Sequence, residues 1–162
     1  MKFYIFRHGE TFASKTFTPY EGDNFNTPIL YEGKDTTIKL ANYLKDVPSD
    51  LNVSSPYERC RETVKIITEI TGKEFIFDDR VGEYFQIEYE KYKGRIVNFL
   101  EEVKQKSYQD IVICTHGATM SMLVHLLCDD SPEEKIPVSE FKQTGVLVII
   151  ENKTIKEVDF NS

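Results

Sequence analysis

From Phe3 to Leu127 the sequence alternates short apolar runs, rich in β-branched and aromatic residues, with longer stretches of helical period. Such an alternation specifies a largely parallel sheet covered by helices on both faces, because neighbouring parallel strands have to be joined by a crossover. The strand runs are Phe3–Phe6, Leu51–Ser54, Glu74–Phe77 and Asp110–Thr115. Leu40, Ala41, Tyr43 and Leu44 share one stripe and predict a helix over Glu32–Lys45, with Ile38 off the stripe and Pro48 beyond its end. Ser55 and Pro56 read as the N-cap and first residue of a second helix, which carries Thr63, Val64, Ile66, Ile67 and Ile70 and ends near Gly72. Tyr92, Ile96, Phe99, Leu100 and Val103 define a helix over Glu88–Lys106, and Met122, Leu123, Leu126 and Leu127 one over Ala118–Cys128. Pro132 and Pro137 mark a loop, and Val146–Ile150 with Thr154–Val158 reads as a closing hairpin. The expected fold is α/β, a three-layer α/β/α sandwich with a mostly parallel central sheet and a C-terminal hairpin. No repeat or linker divides the chain, so residues 1–162 read as a single domain.

Open sheets of this kind keep their chemistry outside the carboxyl ends of the strands. The first run ends in Arg7-His8-Gly9-Glu10-Thr11, the second leads to Arg59, the third region brings Glu83, and Asp110–Thr115 runs into His116-Gly117. Arg7 and Arg59 offer charged forks for phosphate oxygens, His8 a nitrogen nucleophile, and Glu83 an acid. The helices that start after Ser55 and at Gly117 add free backbone N–H groups. Two arginines, two histidines and one carboxylic acid make the inventory of phosphoryl transfer without a metal or cofactor.

Twenty Lys and Arg against 27 Asp and Glu leave a net charge of −7, which argues against nucleic acid or an anionic membrane as partner. An anion site in this chain is therefore a local concentration of cations. No apolar run reaches the ~20 residues of a membrane span, and Arg7 and His8 interrupt the first run too early for a signal peptide. Cys60, Cys114 and Cys128 have neither metal-ligand spacing nor an even count, and read as small apolar fillers of a cytoplasmic chain. Phe12–Pro28 is a long loop by composition. Its rings Phe12, Phe17, Tyr20 and Phe25 either line a pocket or pin the loop to the core.

Arg7-His8-Gly9-Glu10-Thr11 resembles the signature of the histidine phosphatase (phosphoglycerate mutase-like) superfamily. Four further blocks agree in order: Ile29–Thr37 around Gly33, Ser54-Ser55-Pro56-Tyr57-Glu58-Arg59 with Thr63, Arg80-Val81-Gly82-Glu83, and Thr115-His116-Gly117. The resemblance implies that His8 is the nucleophile, that Arg7, Arg59 and His116 bind the phosphoryl group, and that Glu83 donates the proton, with Glu10 as the substitute. Gly117 and Ser14 join the phosphate site, although the family often has Asn where this chain has Ser14, and glutamine where it has Thr36. His8 then has to be neutral and Glu83 protonated at working pH. His125 matches nothing and is expected to lie away from the chemistry. Little more than one helix and one strand separate Glu83 from His116. That favours a phosphatase acting on a small phosphorylated metabolite, through a phosphohistidine, over a mutase. A phosphohistidine phosphatase of phosphoproteins is the alternative, ahead of a mutase or a non-catalytic phospho-ligand binder. The loop Phe12–Pro28 is expected to be the only long wall of the site. Its Glu21 and Asp23 should turn away substrates with several anionic groups.

Overall fold

The computed structural model describes residues 1–162. Six strands form one sheet: β1 Lys2–Arg7, β2 Leu51–Ser54, β3 Ile76–Phe77, β4 Asp110–Thr115, β5 Val146–Glu151 and β6 Thr154–Asp159. The helices are α1 Phe12–Thr16, α2 Gly33–Leu44, α3 Glu58–Thr71, α4 Tyr89–Lys104 and α5 Gly117–Leu127. Strand order across the sheet is β3-β2-β4-β1-β5-β6. β3, β2, β4 and β1 pair in parallel, β5 runs antiparallel to β1, and β6 antiparallel to β5. Five strands thus point one way, and only β5 opposes them. No helix is long and apolar enough to cross a membrane.

The central strands are apolar on both faces because both faces are covered. In β4, Ile111 and Ile113 point to one core, where Tyr92, Ile96 and Phe99 of α4 meet Met120, Met122 and Leu123 of α5. Val112 and Cys114 point to the other, against Leu40, Ala41 and Leu44 of α2 and Cys60, Val64 and Ile67 of α3. The stripe read for α2 is the buried one, and Ile38 lies exposed.

Three local readings change. Part of the expected loop, Phe12–Thr16, is helical, because Thr11 and Ser14 cap each other's backbone N–H groups in a capping box. The third helix starts at Glu58 with Tyr57 as N-cap, not at Pro56 behind a Ser55 cap. The cause is that Ser55 N–H still donates to Cys114 C=O (3.0 Å), so the chain stays extended one residue beyond β2. Finally, β3 keeps only Ile76 and Phe77, both exposed at the sheet edge.

Candidate active site

Parallel register brings the strand ends to one line. Arg7 pairs with Thr115 and Ser54 with Cys114. The ladder runs on through His8 N–H to Thr115 C=O (2.9 Å), so His8, Ser55 and His116 leave the sheet side by side. The turn after β1 is then fastened to α3. Gly9 N–H donates to Thr63 Oγ1 (2.8 Å), and that hydroxyl donates to the Arg59 carbonyl (2.6 Å). Glu83 is delivered from the other core. Thr115 Oγ1 holds Val81 C=O (2.6 Å), Thr119 Oγ1 holds Gly82 C=O (2.7 Å), and Arg95 Nη2 donates to the Gly82 and Glu83 carbonyls (2.9 and 2.6 Å).

His8 has no exposed surface. Its Nδ1 lies 2.8 Å from Gly9 C=O, which can only accept, so Nδ1 carries the hydrogen and Nε2 the lone pair. Burial, together with the charges of Arg7, Arg59 and His116, lowers its pKa well below the usual value and keeps the ring neutral. The His116 ring stands 5.3 Å away. Its Nε2 meets Ser55 Oγ at 2.7 Å, and its Nδ1 lies 3.3 Å from Glu83 Oε2 without making a hydrogen bond. Burial works against a charge on His116, but Cys60 and Glu83 beside it raise its pKa. Arg59, fully buried, pairs through Nη2 with Glu83 Oε2 (3.1 Å) and donates through Nη1 to Asn24 C=O (2.6 Å). Three buried donors here have no acceptor: Arg7 Nε, Arg59 Nε and His116 Nδ1.

The structure corrects the expected state of Glu83. Burial alone would raise its pKa, but His116, Arg59 and Arg7 outweigh burial and hold the carboxyl at about 2, so in this arrangement it is ionised.

Beside this cluster opens a cleft of about 670 Å³. Arg7, Glu10, Ser14, Glu83 and Gly117 line it, together with Phe17 and Tyr20 of the 12–28 segment. Ser14 is thus at the cleft, but its hydroxyl is engaged with Thr11, accepting from N–H (2.8 Å) and donating to C=O (3.1 Å). A Cβ on Gly117 would stand 2.9 Å from Phe141 Cδ2 and 3.2 Å from Arg7 Cζ, so only glycine lets Arg7 lie across the start of α5. Glu21 and Asp23 do not line the cleft, and Asp23 instead binds Asn26. A second wall, which the sequence showed only as a loop, comes from the segment between α5 and β5: Lys135, Val138, Phe141, Gln143 and Thr144. The cleft's own charges are Arg7, Lys15 (paired with Glu32), Lys135, Glu10 and Glu83, so the repulsion of second anionic groups expected from Glu21 and Asp23 loses its basis. His125, as expected, sits outside the cleft, between Asp130 and Glu140.

The ring residues of the 12–28 segment divide. Phe12 and Phe17 are exposed, and Phe25 packs on Tyr57 at 4.9 Å. Tyr20 enters the site, its ring 4.2 Å from the Arg59 guanidinium. Asn24 acts through a main-chain carbonyl, so no residue type could announce it. Cys60, read as filler, has its sulfur 3.7 Å from His116 Nε2. Ser55 carried a signal in the Ser-Ser-Pro block and was read as a cap.

The profile of the histidine phosphatase superfamily (branch 1) matches residues 3–93 and 87–159. The chain belongs to the histidine phosphatase superfamily. The chain is 25% identical, over a 161-position alignment that covers 78% of each protein, to a Hydrogenobacter thermophilus protein that carries the name phosphoserine phosphatase 2. Its fold matches the α-ribazole phosphatase of Shigella flexneri with a TM-score of 0.74, at 19% identity, covering 100% of this chain and 96% of that one. It also matches the protein histidine phosphatase SixA, solved with tungstate, with a TM-score of 0.73, at 17% identity, covering 99% and 97%.

Proposed function

We propose that this chain is a phosphatase that hydrolyses the phosphate ester of a small metabolite through a phosphohistidine on His8. The observation that carries the reading is the neutral His8, its Nε2 lone pair free of a proton, among three buried N–H donors that lack acceptors. A phosphoryl group supplies those acceptors. Nε2 attacks phosphorus and the P–O bond to the leaving group breaks, while Arg7, Arg59 and His116 bind the charge of the equatorial oxygens. The dianion competes for the cations that hold Glu83 ionised, so the pKa of Glu83 rises as substrate binds. Glu83 takes up a proton from solvent and gives it to the leaving oxygen; its carboxylate then takes one from the attacking water, and the phosphohistidine is hydrolysed to inorganic phosphate and neutral His8. Ser14 borders the bound group if its hydroxyl turns from Thr11, and Gly117 N–H opens α5 towards it.

The two-walled cleft supports a small ester over a folded phosphoprotein. The names phosphoserine phosphatase and α-ribazole phosphatase, carried by two of the proteins it resembles, accord with that choice. Three free cysteines accord with a reducing compartment, and we place the enzyme in the cytoplasm. Two arginines and His116 supply the positive charge of the site, so turnover needs no metal.

Hydrolysis of 4-nitrophenyl phosphate tests the reading. Wild type should turn over in excess chelator and accumulate acid-labile, alkali-stable phosphate. His8→Ala should lose at least ~10³-fold in kcat, the scale of removing a covalent nucleophile. Activity in His8→Ala, or loss of wild-type activity to chelator with recovery on adding a divalent metal, contradicts it.

A further inference from the structure

We propose that Tyr20 is an access residue of the phosphoryl site: its side chain closes His8 off from the cleft and has to swing away before a phosphoryl group can reach Nε2. The inference rests on the reading of His8 as nucleophile. The cleft is lined by Arg7, Glu83, Gly117 and Tyr20, but not by His8, which lies fully buried behind them. The Tyr20 hydroxyl stands 3.4 Å from His8 Nε2, where the attacked phosphorus belongs. It is held there by Thr11 Oγ1 at 2.9 Å, while its ring covers the Arg59 guanidinium at 4.2 Å. The same segment occupies Arg59 a second time through Asn24 C=O. Tyrosine and carbonyl thus take the two partners, nucleophile and clamp, that a phosphoryl group needs.

The closure is weak enough to be opened by substrate. The bond to His8 is long at 3.4 Å, the bond to Thr11 is between two neutral hydroxyls, and the cation–π contact is exchanged for charge-assisted bonds when phosphate meets Arg59. Because every ligand has to open the same gate, the apparent affinity of each is reduced by the same open fraction.

The test measures the dissociation constants of inorganic phosphate and of tungstate for wild type, Tyr20→Ala and Tyr20→Phe by calorimetry. Alongside, His8 is labelled with phosphoramidate, a small donor that transfers its phosphoryl group to Nε2 and leaves as ammonia. Both anions should bind about tenfold tighter to Tyr20→Ala, by one common factor, as expected when the cation–π contact and the hydroxyl's bonds to Thr11 and His8 no longer hold the gate. Labelling of His8 should accelerate by the same factor. Tyr20→Phe keeps the ring on Arg59 and should fall between. Unchanged or weaker binding in both variants, or factors that differ between the anions, overturns the gate. The outcomes also separate it from the phosphatase reading. Tighter binding without hydrolysis of an aryl phosphate by any of the three proteins sinks the phosphatase and leaves the gate. Hydrolysis with unchanged binding does the reverse, as does hydrolysis with no binding of either anion to any of them.

Discussion

His8 and Glu83 lie in one field of positive charge, which lowers the pKa of both and so suits a nucleophile but not an acid. For His8 the field adds to burial and removes the proton, as a nucleophile requires. For Glu83 it overcomes burial and removes the proton that an acid needs, leaving a pKa of about 2. In the proposed mechanism Glu83 becomes a competent acid only when the phosphoryl dianion offsets Arg59, Arg7 and His116. Glu83→Gln should then slow alkyl phosphates by about 10²–10³-fold, the usual worth of general acid catalysis. Aryl phosphates, whose leaving oxygen needs little protonation, should slow far less. Equal losses for both classes in steady-state assays would move the acid to Glu10, which also borders the cleft.

At the scale of elements, the segment between α5 and β5 matters more than its composition suggested. It carries no long regular element, yet it supplies one wall of the cleft. His125 of α5, between Asp130 and Glu140, ties it down at both ends. Its Lys135 is exposed, forms no ion pair, and leans on the Tyr84 ring at 5.2 Å. A carboxylate on the leaving group should reach that cation. Carboxylated phenyl phosphates are therefore expected to show a KM several-fold below that of phenyl phosphate itself. Lys135→Glu should reverse the order, while kcat on phenyl phosphate stays within about twofold. These are effects of the size of one partly exposed charge pair. A KM ratio that Lys135→Glu does not move would assign the leaving group to another part of the cleft.

Across the whole molecule, the charges of the site shape stability against pH. Glu83 has a folded pKa of about 2 against an ordinary 4.5, so the unfolded chain binds the extra proton. The associated stability is present above pH 4.5 and is lost between there and about pH 2. A shift of that size corresponds to roughly 3 kcal/mol, and the raised pKa of His116, owed first to Cys60, shares its Glu83 contribution with that contact. The stability from His116 is complete below its ordinary 6.5 and is lost as pH rises through its raised folded value. His8, kept neutral, works the other way and costs stability below 6.5. Urea unfolding at pH 7, 5.5 and 3.5 should show wild type weakening towards acid. Glu83→Gln should flatten the segment below pH 4.5, and a wild-type slope that survives in that variant would assign the acid response to other carboxylates.

The amino-acid order by itself determined the layering and the edge. Alternating strand and helix periods, with Val, Ile and aromatic residues continuous in the central strands, allow only a sheet buried on both faces. Parallel connections then force Arg7-His8, Arg59 and His116-Gly117 to the same edge. What the order of residues left open was decided by contacts between segments distant in the chain. Ser55 reads locally as a helix cap, but a parallel neighbour extends the strand through it and turns its hydroxyl to His116, 61 residues away. The protonation of Glu83 depends on cations from three different elements. The loop acids Glu21 and Asp23 do not line the cleft, and it is Tyr20 and the Asn24 carbonyl of that loop that meet Arg59. Periodicity is a local property and survives in a string of letters. Charge balance and hydrogen-bond partnership at a site depend on distances that exist only once the chain has folded.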